Sequence, residues 1–244
     1  MLQNTVAVIG STGLVGSHIV DLLKEENACR KIRLLVRRPV EFSHFNLEIK
    51  LVNFEDYESL KSAIAGCNVV FCAVGTTQDK VKGDQLQYRK VDYDITVNAA
   101  RACLETEGTN FLLVSAVGAD SNSKTFYLRL KGEVEEAVQK FPIKSISIFR
   151  PSMLLGNRNE FRLGERIGQA GMKLLAPLLR GKWRKYKAIE ARDVAAAMIE
   201  AAKQNIEGCT IYLYDEMKRL ITRSVNRRNA DAMSHVGRGR TTIT

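Results

Sequence analysis

The chain has 244 residues, of which 45% are hydrophobic and 26% are charged. This composition is typical of a globular protein, and the length is ample for a buried core in one large domain or one domain with a small lobe. No apolar run approaches the length of a membrane-spanning helix. The first apolar run begins at Thr5, so we also expect no signal peptide.

The net charge of +10 is concentrated near the C-terminus. Residues 217–244 contain seven basic residues and one acidic residue, which accounts for +6 of the total. A basic terminal segment is more often a solvated or disordered extension than a nucleic-acid site. The rest of the chain has no RNA-binding aromatic motif and no recognisable helix-turn-helix pattern, so nucleic-acid binding is the weaker alternative. We predict a basic tail over residues 216–244.

The cysteines and histidines indicate neither a disulfide framework nor a metal site. The five cysteines are an odd number with no C-x-x-C pair, and the three histidines stand apart in the sequence. Together with the expected lack of a signal peptide, this usage predicts a reduced, cytoplasmic setting.

The first predicted strand, at 5–9, leads into a glycine-rich turn and then a helix. The turn reads Gly10-Ser11-Thr12-Gly13-Leu14-Val15-Gly16. Gly10 permits a tight turn, Gly13 lets the backbone approach a diphosphate, and Gly16 lets the helix pack against its strand. The N–H groups at the helix N-terminus attract negative charge. The turn therefore predicts a dinucleotide site, and a glycine-rich turn without a ligand is the alternative.

Apolar runs alternate with helical patterns through the first 150 residues. Strands are predicted at 5–9, 32–36, 48–53, 68–73, 110–115 and 144–149. Helices are predicted at 14–26, 56–65, 88–106 and 124–140. This alternation predicts an α/β fold of the Rossmann type, a doubly wound parallel sheet with helices on both faces.

The pattern loosens towards the C-terminus. A stretch rich in Arg, Gly and Leu is followed by a predicted helix at 192–203 and a short strand near 209–214. We predict that residues 1–154 form the nucleotide-binding domain. Residues 155–215 are predicted to form a small irregular substrate or cap lobe that completes the same domain, over the carboxyl ends of the strands, where open α/β sheets bind ligands.

Residues that follow the second, third and fourth strands predict the nucleotide. Arg37 and Arg38 stand where an acidic residue would bind the ribose hydroxyls of NAD. Arginine forks match phosphate oxygens, so this pair favours NADP(H), although one of the two is expected to face solvent. Asn53 and Phe54 are expected near the adenine. Small residues expected beside the cofactor follow the fourth strand: Ala73, Val74, Gly75 and Thr76.

A serine, a tyrosine and a lysine form the candidate catalytic set. Ser115 ends the fifth strand, Tyr127 lies twelve residues later and Lys131 four residues beyond. Residues four apart share one helix face, so the Lys131 ammonium is expected to help the Tyr127 phenol exchange a proton near neutral pH. Lys131 would also hold the nicotinamide ribose, and Ser115 would orient a substrate carbonyl. A Tyr-x-x-x-Lys string alone usually marks a solvated helix face; its position after a glycine motif and a strand-end serine favours catalysis.

Four stretches resemble the atypical or extended short-chain dehydrogenases/reductases, and more closely the Tat-interacting-protein-like NADPH-binding oxidoreductases. The stretches are 10–16, 71–77, 127–135 and 149–156. The resemblance implies a Rossmann fold, NADP(H) as cofactor, and Ser115, Tyr127 and Lys131 as the catalytic set. It also implies that Pro151, Ser152 and Met153 lie beside the nicotinamide. The asparagine that often completes a catalytic tetrad in this superfamily has no clear counterpart within residues 88–92.

Two functions of different classes fit this sequence. The first is an NADPH-dependent oxidoreductase that acts on a small carbonyl substrate. The alternative is an NADPH-binding, redox-sensing regulator with little or no turnover that acts through a protein partner. A homodimer paired through the predicted helices 88–106 and 124–140 is compatible with both.

Overall fold

The structure, a computed structural model, describes residues 5–25, 29–76, 83–156 and 181–238. Its main strands are β1 (Thr5–Ile9), β2 (Lys31–Val36), β3 (Leu47–Leu51), β4 (Val69–Cys72), β5 (Asn110–Val114) and β6 (Ser145–Phe149). The short strands β7 (Leu154–Leu155) and β8 (Ile189–Glu190) pair with each other, and β9 (Gly208–Tyr212) completes the main sheet. The helices are α1 (Leu14–Glu25), α2 (Tyr57–Ile64), α3 (Gln85–Arg89), α4 (Ile95–Glu105), α5 (Phe126–Gln139), α6 (Ala191–Gln204) and α7 (Tyr214–Arg238).

The main sheet is parallel throughout and has the order β3-β2-β1-β4-β5-β6-β9. The chain proceeds outward from β1 to β3, then returns to place β4 on the other side of β1. This reversal creates a crevice at the carboxyl ends of β1 and β4, where sheets of this type bind ligands. The Rossmann-type fold predicted from the sequence is confirmed.

Helices cover both faces of the sheet, as the continuous apolar strands require. Alternate residues of β1 point to opposite faces: Val6 and Val8 belong to one buried cluster, and Ala7 and Ile9 to the other. The first cluster is completed by apolar residues of α1, α6 and α7. The second is completed by residues of α2, α4 and α5.

The long helix predicted at 88–106 is interrupted. A π-helix (Lys90–Asp94) separates α3 from α4. A π-helical turn adds a residue to the normal α-helical repeat and changes which side chains face inward, and such turns are frequent at functional sites. Asp92, within this turn, is buried.

Two expectations for the C-terminal part need correction. The strand β9 pairs in parallel with β6, so residues 208–212, which were expected within the small lobe, extend the central sheet. The tail predicted at 216–244 is helical as far as Arg238, and the first turns of this helix pack on the core through buried Met217 and Leu220, with Tyr214 and Ile221 beside them. This apolar spacing of three to four residues stabilises a helix despite its basic composition.

Residues 157–180 of the expected substrate lobe lie outside the described residues. A 3₁₀-helix (Gly181–Tyr186) precedes β8. Within the described part of the chain, no helix has the length and apolar character needed to cross a membrane.

Candidate cofactor and catalytic site

The glycine turn after β1 has the tight geometry that the sequence predicts. Gly10 has a φ of +83°, and a Cβ atom there would lie 2.6 Å from the carbonyl oxygen of Ala73. A Cβ at Gly16 would lie 2.0 Å from the carbonyl oxygen of Gly10. The Gly13 N–H donates to the same Gly10 carbonyl at 2.9 Å. Neither Gly10 nor Gly16 therefore has room for a side chain, and α1 packs directly on the turn.

The exposure of the turn fits a phosphate ligand. Thr12 and Gly13 are exposed at its tip, whereas Val15 and Gly16 are buried. The Ser11 hydroxyl is buried and has no hydrogen-bond partner among the described residues. The first N–H groups of a helix have no partners within the helix. The close glycine packing and the unpartnered hydroxyl are together compatible with the diphosphate of a dinucleotide at the N-terminus of α1.

Leu14 links the glycine turn to the segment after β6. A Cβ added to Gly156 would lie 3.0 Å from Cδ1 of Leu14. Pro151 accepts the Val117 N–H at 2.9 Å, and Met153 accepts the Ile189 N–H at 3.0 Å. These bonds fix the segment that contains Pro151 and Met153 between the ends of β5 and β8.

Residues expected around the adenosine part follow β2 and β3. Arg37 and Arg38 are both exposed. Asn53 is exposed as well, and its side-chain oxygen accepts the Glu55 N–H at 3.1 Å, while Phe54 is half-buried. The side-chain carbonyl group of Asn53 therefore stabilises its own turn, whereas the side-chain NH₂ group remains for a ligand.

The segment after β4 runs beside the glycine turn. The Ala73 N–H donates to the Ile9 carbonyl at 2.9 Å. Val74 packs against the buried cluster on the α4 side, and Gly75 is exposed. The Thr76 N–H donates to Oδ2 of Asp92 at 2.7 Å. This part of the chain is thus held between β1 and the π-helix.

Tyr127 and Lys131 lie one turn apart near the start of α5, as predicted. The Lys131 Nζ is 5.9 Å from the centre of the Tyr127 ring. Lys131 is buried and forms an ion pair with Asp92, with 2.7 Å between Nζ and Oδ1. Burial favours the neutral amine, but the Asp92 carboxylate opposes it, and the pKa of Lys131 is raised above its usual value. Asp92 was not predicted as a site residue, although it is buried in line with Tyr88 and Thr96, which lie four residues before and after it.

Ser115 lies at the carboxyl end of β5, but its hydroxyl is already occupied. It donates to the carboxylate of Glu135, one turn beyond Lys131 on α5. Glu135 is buried and also binds Arg150, with 2.5 Å between Oε2 and Nη2 and 3.0 Å between Oε1 and Nε. Ser152, expected beside the nicotinamide, likewise donates its hydroxyl to the Lys187 carbonyl.

Comparison with known proteins shows the family of this chain. A family model described as NAD(P)H-binding matches residues 10–205. The chain belongs to this NAD(P)H-binding family. Protein FMP52, mitochondrial, of Candida albicans is 33% identical over 208 residues, which cover 82% of this chain and 89% of that protein. Protein HTATIP2 of Rattus norvegicus is 33% identical over 168 residues, covering 68% and 69% of the two chains. The resemblance inferred from the sequence is confirmed.

Solved structures similar to this protein share its fold. The enzyme WbmH of Bordetella bronchiseptica, in complex with NAD+, has a TM-score of 0.66 at 16% identity, covering 86% of this chain and 76% of that chain. A UDP-N-acetylglucosamine 4-epimerase of Methanobrevibacter ruminantium has a TM-score of 0.64 at 17% identity, covering 91% and 81%. These similarities confirm the Rossmann-like sheet.

One expectation from the sequence is contradicted by the relatives. The cysteine usage and the expected lack of a signal peptide predicted a cytoplasmic protein. The FMP52 proteins of Candida albicans, Coccidioides immitis and Aspergillus niger are named mitochondrial. The cytoplasmic prediction was wrong because cysteines that remain as free thiols do not distinguish the cytoplasm from other compartments inside a cell.

Proposed function

We propose that the protein is an NADP(H)-dependent oxidoreductase that reduces a small carbonyl substrate. The observation that carries this proposal is the position of Tyr127 one helical turn from the buried, charged Lys131, on an NAD(P)H-binding fold. A bound reduced nicotinamide supplies the hydride for the carbonyl carbon. The Tyr127 hydroxyl gives its proton to the carbonyl oxygen, and the products are an alcohol and the oxidised nucleotide.

Lys131 supports this step in two ways. Its ammonium stabilises the phenolate that remains on Tyr127 after proton transfer. Its N–H groups that do not face Asp92 would hold the nicotinamide ribose. The positive charge of an oxidised nicotinamide, when bound, would also favour the phenolate.

Arg37 and Arg38 support a preference for NADP(H) over NAD(H). Both are exposed after β2, at the end of the strand that contacts the adenosine ribose in folds of this type. Guanidinium groups bind the 2′-phosphate in a forked geometry that an acidic residue would prevent.

Titration of the purified protein with NADPH and with NADH tests cofactor binding, and calorimetry gives both affinities. The Tyr127→Phe variant then tests the chemistry in a screen of aldehydes and ketones. It is expected to bind NADPH with unchanged affinity and to lose turnover by at least about 100-fold. Full activity in Tyr127→Phe, with an identified substrate, would remove the proposed mechanism.

A second function is favoured by one observation. The Ser115 hydroxyl, expected to orient a carbonyl, is bound to Glu135 instead. A protein that binds NADPH, but whose Ser115 hydroxyl does not orient a substrate carbonyl, fits a redox-sensing regulator. A protein partner would then recognise the redox state of the bound nucleotide. Partner binding that changes with the ratio of NADP to NADPH supports the regulator. Partner binding that ignores this ratio contradicts it.

The names of the relatives bear on where either function operates. We propose a mitochondrial location on the basis of the FMP52 proteins, which are named mitochondrial. Fractionation of cells that express the full chain tests this location, and recovery in the cytosolic fraction alone contradicts it.

A further inference from the structure

We propose that Asp92 is a positioning residue of this site, which keeps the Lys131 ammonium charged and fixed relative to the segment after β4. This inference rests on the proposed function, because Lys131 is the residue that it serves. Asp92 touches neither the substrate nor the cofactor in this proposal. It acts through Lys131, and its effects are therefore expected to depend on that lysine.

The two oxygens of Asp92 bind two different elements. Oδ1 lies 2.7 Å from the Lys131 Nζ on α5, and Oδ2 lies 2.7 Å from the Thr76 backbone nitrogen after β4. The Asp92 residue is 1% exposed and Lys131 is 5% exposed. One oxygen thus forms an ion pair and the other accepts a hydrogen bond, so the buried carboxylate joins the two elements.

The π-helix contains the residue that forms this bridge and is itself held in place. The Thr96 hydroxyl donates to the Asp92 carbonyl at 2.9 Å. The Tyr88 hydroxyl, on α3, donates to the Thr76 carbonyl at 3.1 Å. Both backbone polar groups of Thr76 are thus bound to the stretch that contains the π-helix. The stretch that contains the π-helix therefore holds both the segment beside the expected cofactor and Lys131 of α5.

The charge on Lys131 depends on this partner. Lys131 interacts electrostatically with Asp92 on the π-helix, with Tyr127 on its own helix and with Tyr88 on α3. Cys72, at the end of β4, also interacts with it electrostatically. Glu135, one turn further along α5, is paired with Arg150. Among the described residues, the carboxylate that lies within ion-pairing distance of Lys131 is that of Asp92.

Removal of that carboxylate would leave a buried ammonium without its acidic partner. Such a lysine loses its proton readily, because burial disfavours the charged form. A neutral amine stabilises a phenolate on Tyr127 less than an ammonium does, and it also binds the nucleotide less strongly. Replacement of Asp92 by asparagine is therefore expected to make Lys131 titrate within the ordinary pH range.

The decisive experiment measures urea unfolding of the Asp92→Asn variant between pH 6.5 and pH 9.5. In the variant, the folded protein holds Lys131 neutral over part of this range, while the unfolded chain still binds the proton. Its stability relative to the unchanged protein is then expected to rise with pH. The ratio of the two unfolding constants should fall by up to about tenfold per pH unit in that window.

Asp94→Asn is the matched control, since it removes a carboxylate from the same π-helix at an exposed position. Its unfolding constant is expected to keep a fixed ratio to that of the unchanged protein. In NADPH titrations, Asp92→Asn should bind about tenfold more weakly at pH 9 than at pH 6.5, relative to the unchanged protein. The Asp94→Asn variant should show no such change.

The double variant Asp92→Asn/Lys131→Met separates a role through Lys131 from a structural role. If Asp92 acts through Lys131, the pH dependence disappears in the Lys131→Met background. If Asp92→Asn fails to fold, folding of the double variant supports the proposal, and failure of both overturns it. A difference in stability that is constant with pH also overturns it.

Failure of the proposed function remains distinguishable. If the unchanged protein binds neither NADPH nor NADH, the function is wrong, whereas the unfolding experiment still decides the role of Asp92.

Discussion

The hydroxyl of Ser115, at the end of β5, donates to the buried carboxylate of Glu135 on α5. The same carboxylate is bound by Arg150, which directly follows β6. Three neighbouring elements at the carboxyl edge of the sheet are therefore joined by one acidic side chain. A charged group in this position is stabilised only while its donors remain.

Ser115→Ala is expected to destabilise the protein by about 1–3 kcal/mol, because buried Glu135 loses a donor. The affinity for NADPH should not change. Urea unfolding and calorimetry measure the two quantities. Ser121→Ala is the matched control, since that serine also donates to a glutamate, Glu136, but at an exposed position, and a change within about 0.5 kcal/mol is expected. Loss of turnover in Ser115→Ala without loss of stability would instead show that the hydroxyl reaches the substrate.

Gly16→Ala is expected to disrupt the glycine turn, which we propose as the site of the diphosphate. The added Cβ would lie 2.0 Å from the Gly10 carbonyl oxygen, and backbone atoms must move to admit it. We expect a loss of about 1–3 kcal/mol in unfolding free energy and a loss of NADPH affinity greater than about tenfold.

Gly66→Ala is the control for this prediction. Gly66 has a φ of +78°, and nothing lies within 4 Å of the site of an added Cβ. Gly66→Ala should lower the free energy of unfolding by about 1 kcal/mol, because a residue with a Cβ is strained at this φ, without any change in NADPH affinity. Equal affinities for Gly16→Ala and the unchanged protein would exclude this turn as the diphosphate site.

The local features of the fold were predictable from the sequence, and the contacts between distant residues were not. The strand, glycine turn and helix over residues 5–25 follow from neighbouring residues alone. The pairing of Asp92 with Lys131 joins the π-helix to α5 across a long stretch of chain, and no local rule selects this lysine as the partner. The partner of Ser115 lies twenty residues further along, and no local rule selects Glu135.

The NADP(H) preference predicted from Arg37 and Arg38 can be tested by their replacement. The Arg37→Ala/Arg38→Ala variant should lose about 10- to 100-fold in NADPH affinity, because charge-assisted bonds to the 2′-phosphate are lost. NADH affinity should be unchanged. Lys144→Ala is a control for net charge, as it removes an exposed cation just before β6, at the opposite edge of the sheet. An equal loss for NADPH and NADH would count against a phosphate-specific role.

The helix α7 was predicted as a basic tail because its charge was weighted above its apolar spacing. Met217 is fully buried in the core, although the residues around it are largely polar. Met217→Ala is therefore expected to reduce the free energy of unfolding by about 2–5 kcal/mol, since it leaves a cavity beneath the helix. Val225→Ala, at a position 48% exposed on the same helix, should change it by less than about 0.5 kcal/mol. Equal, small effects for both variants would mean that this helix is not part of the folded core, and the prediction of a solvated tail would stand.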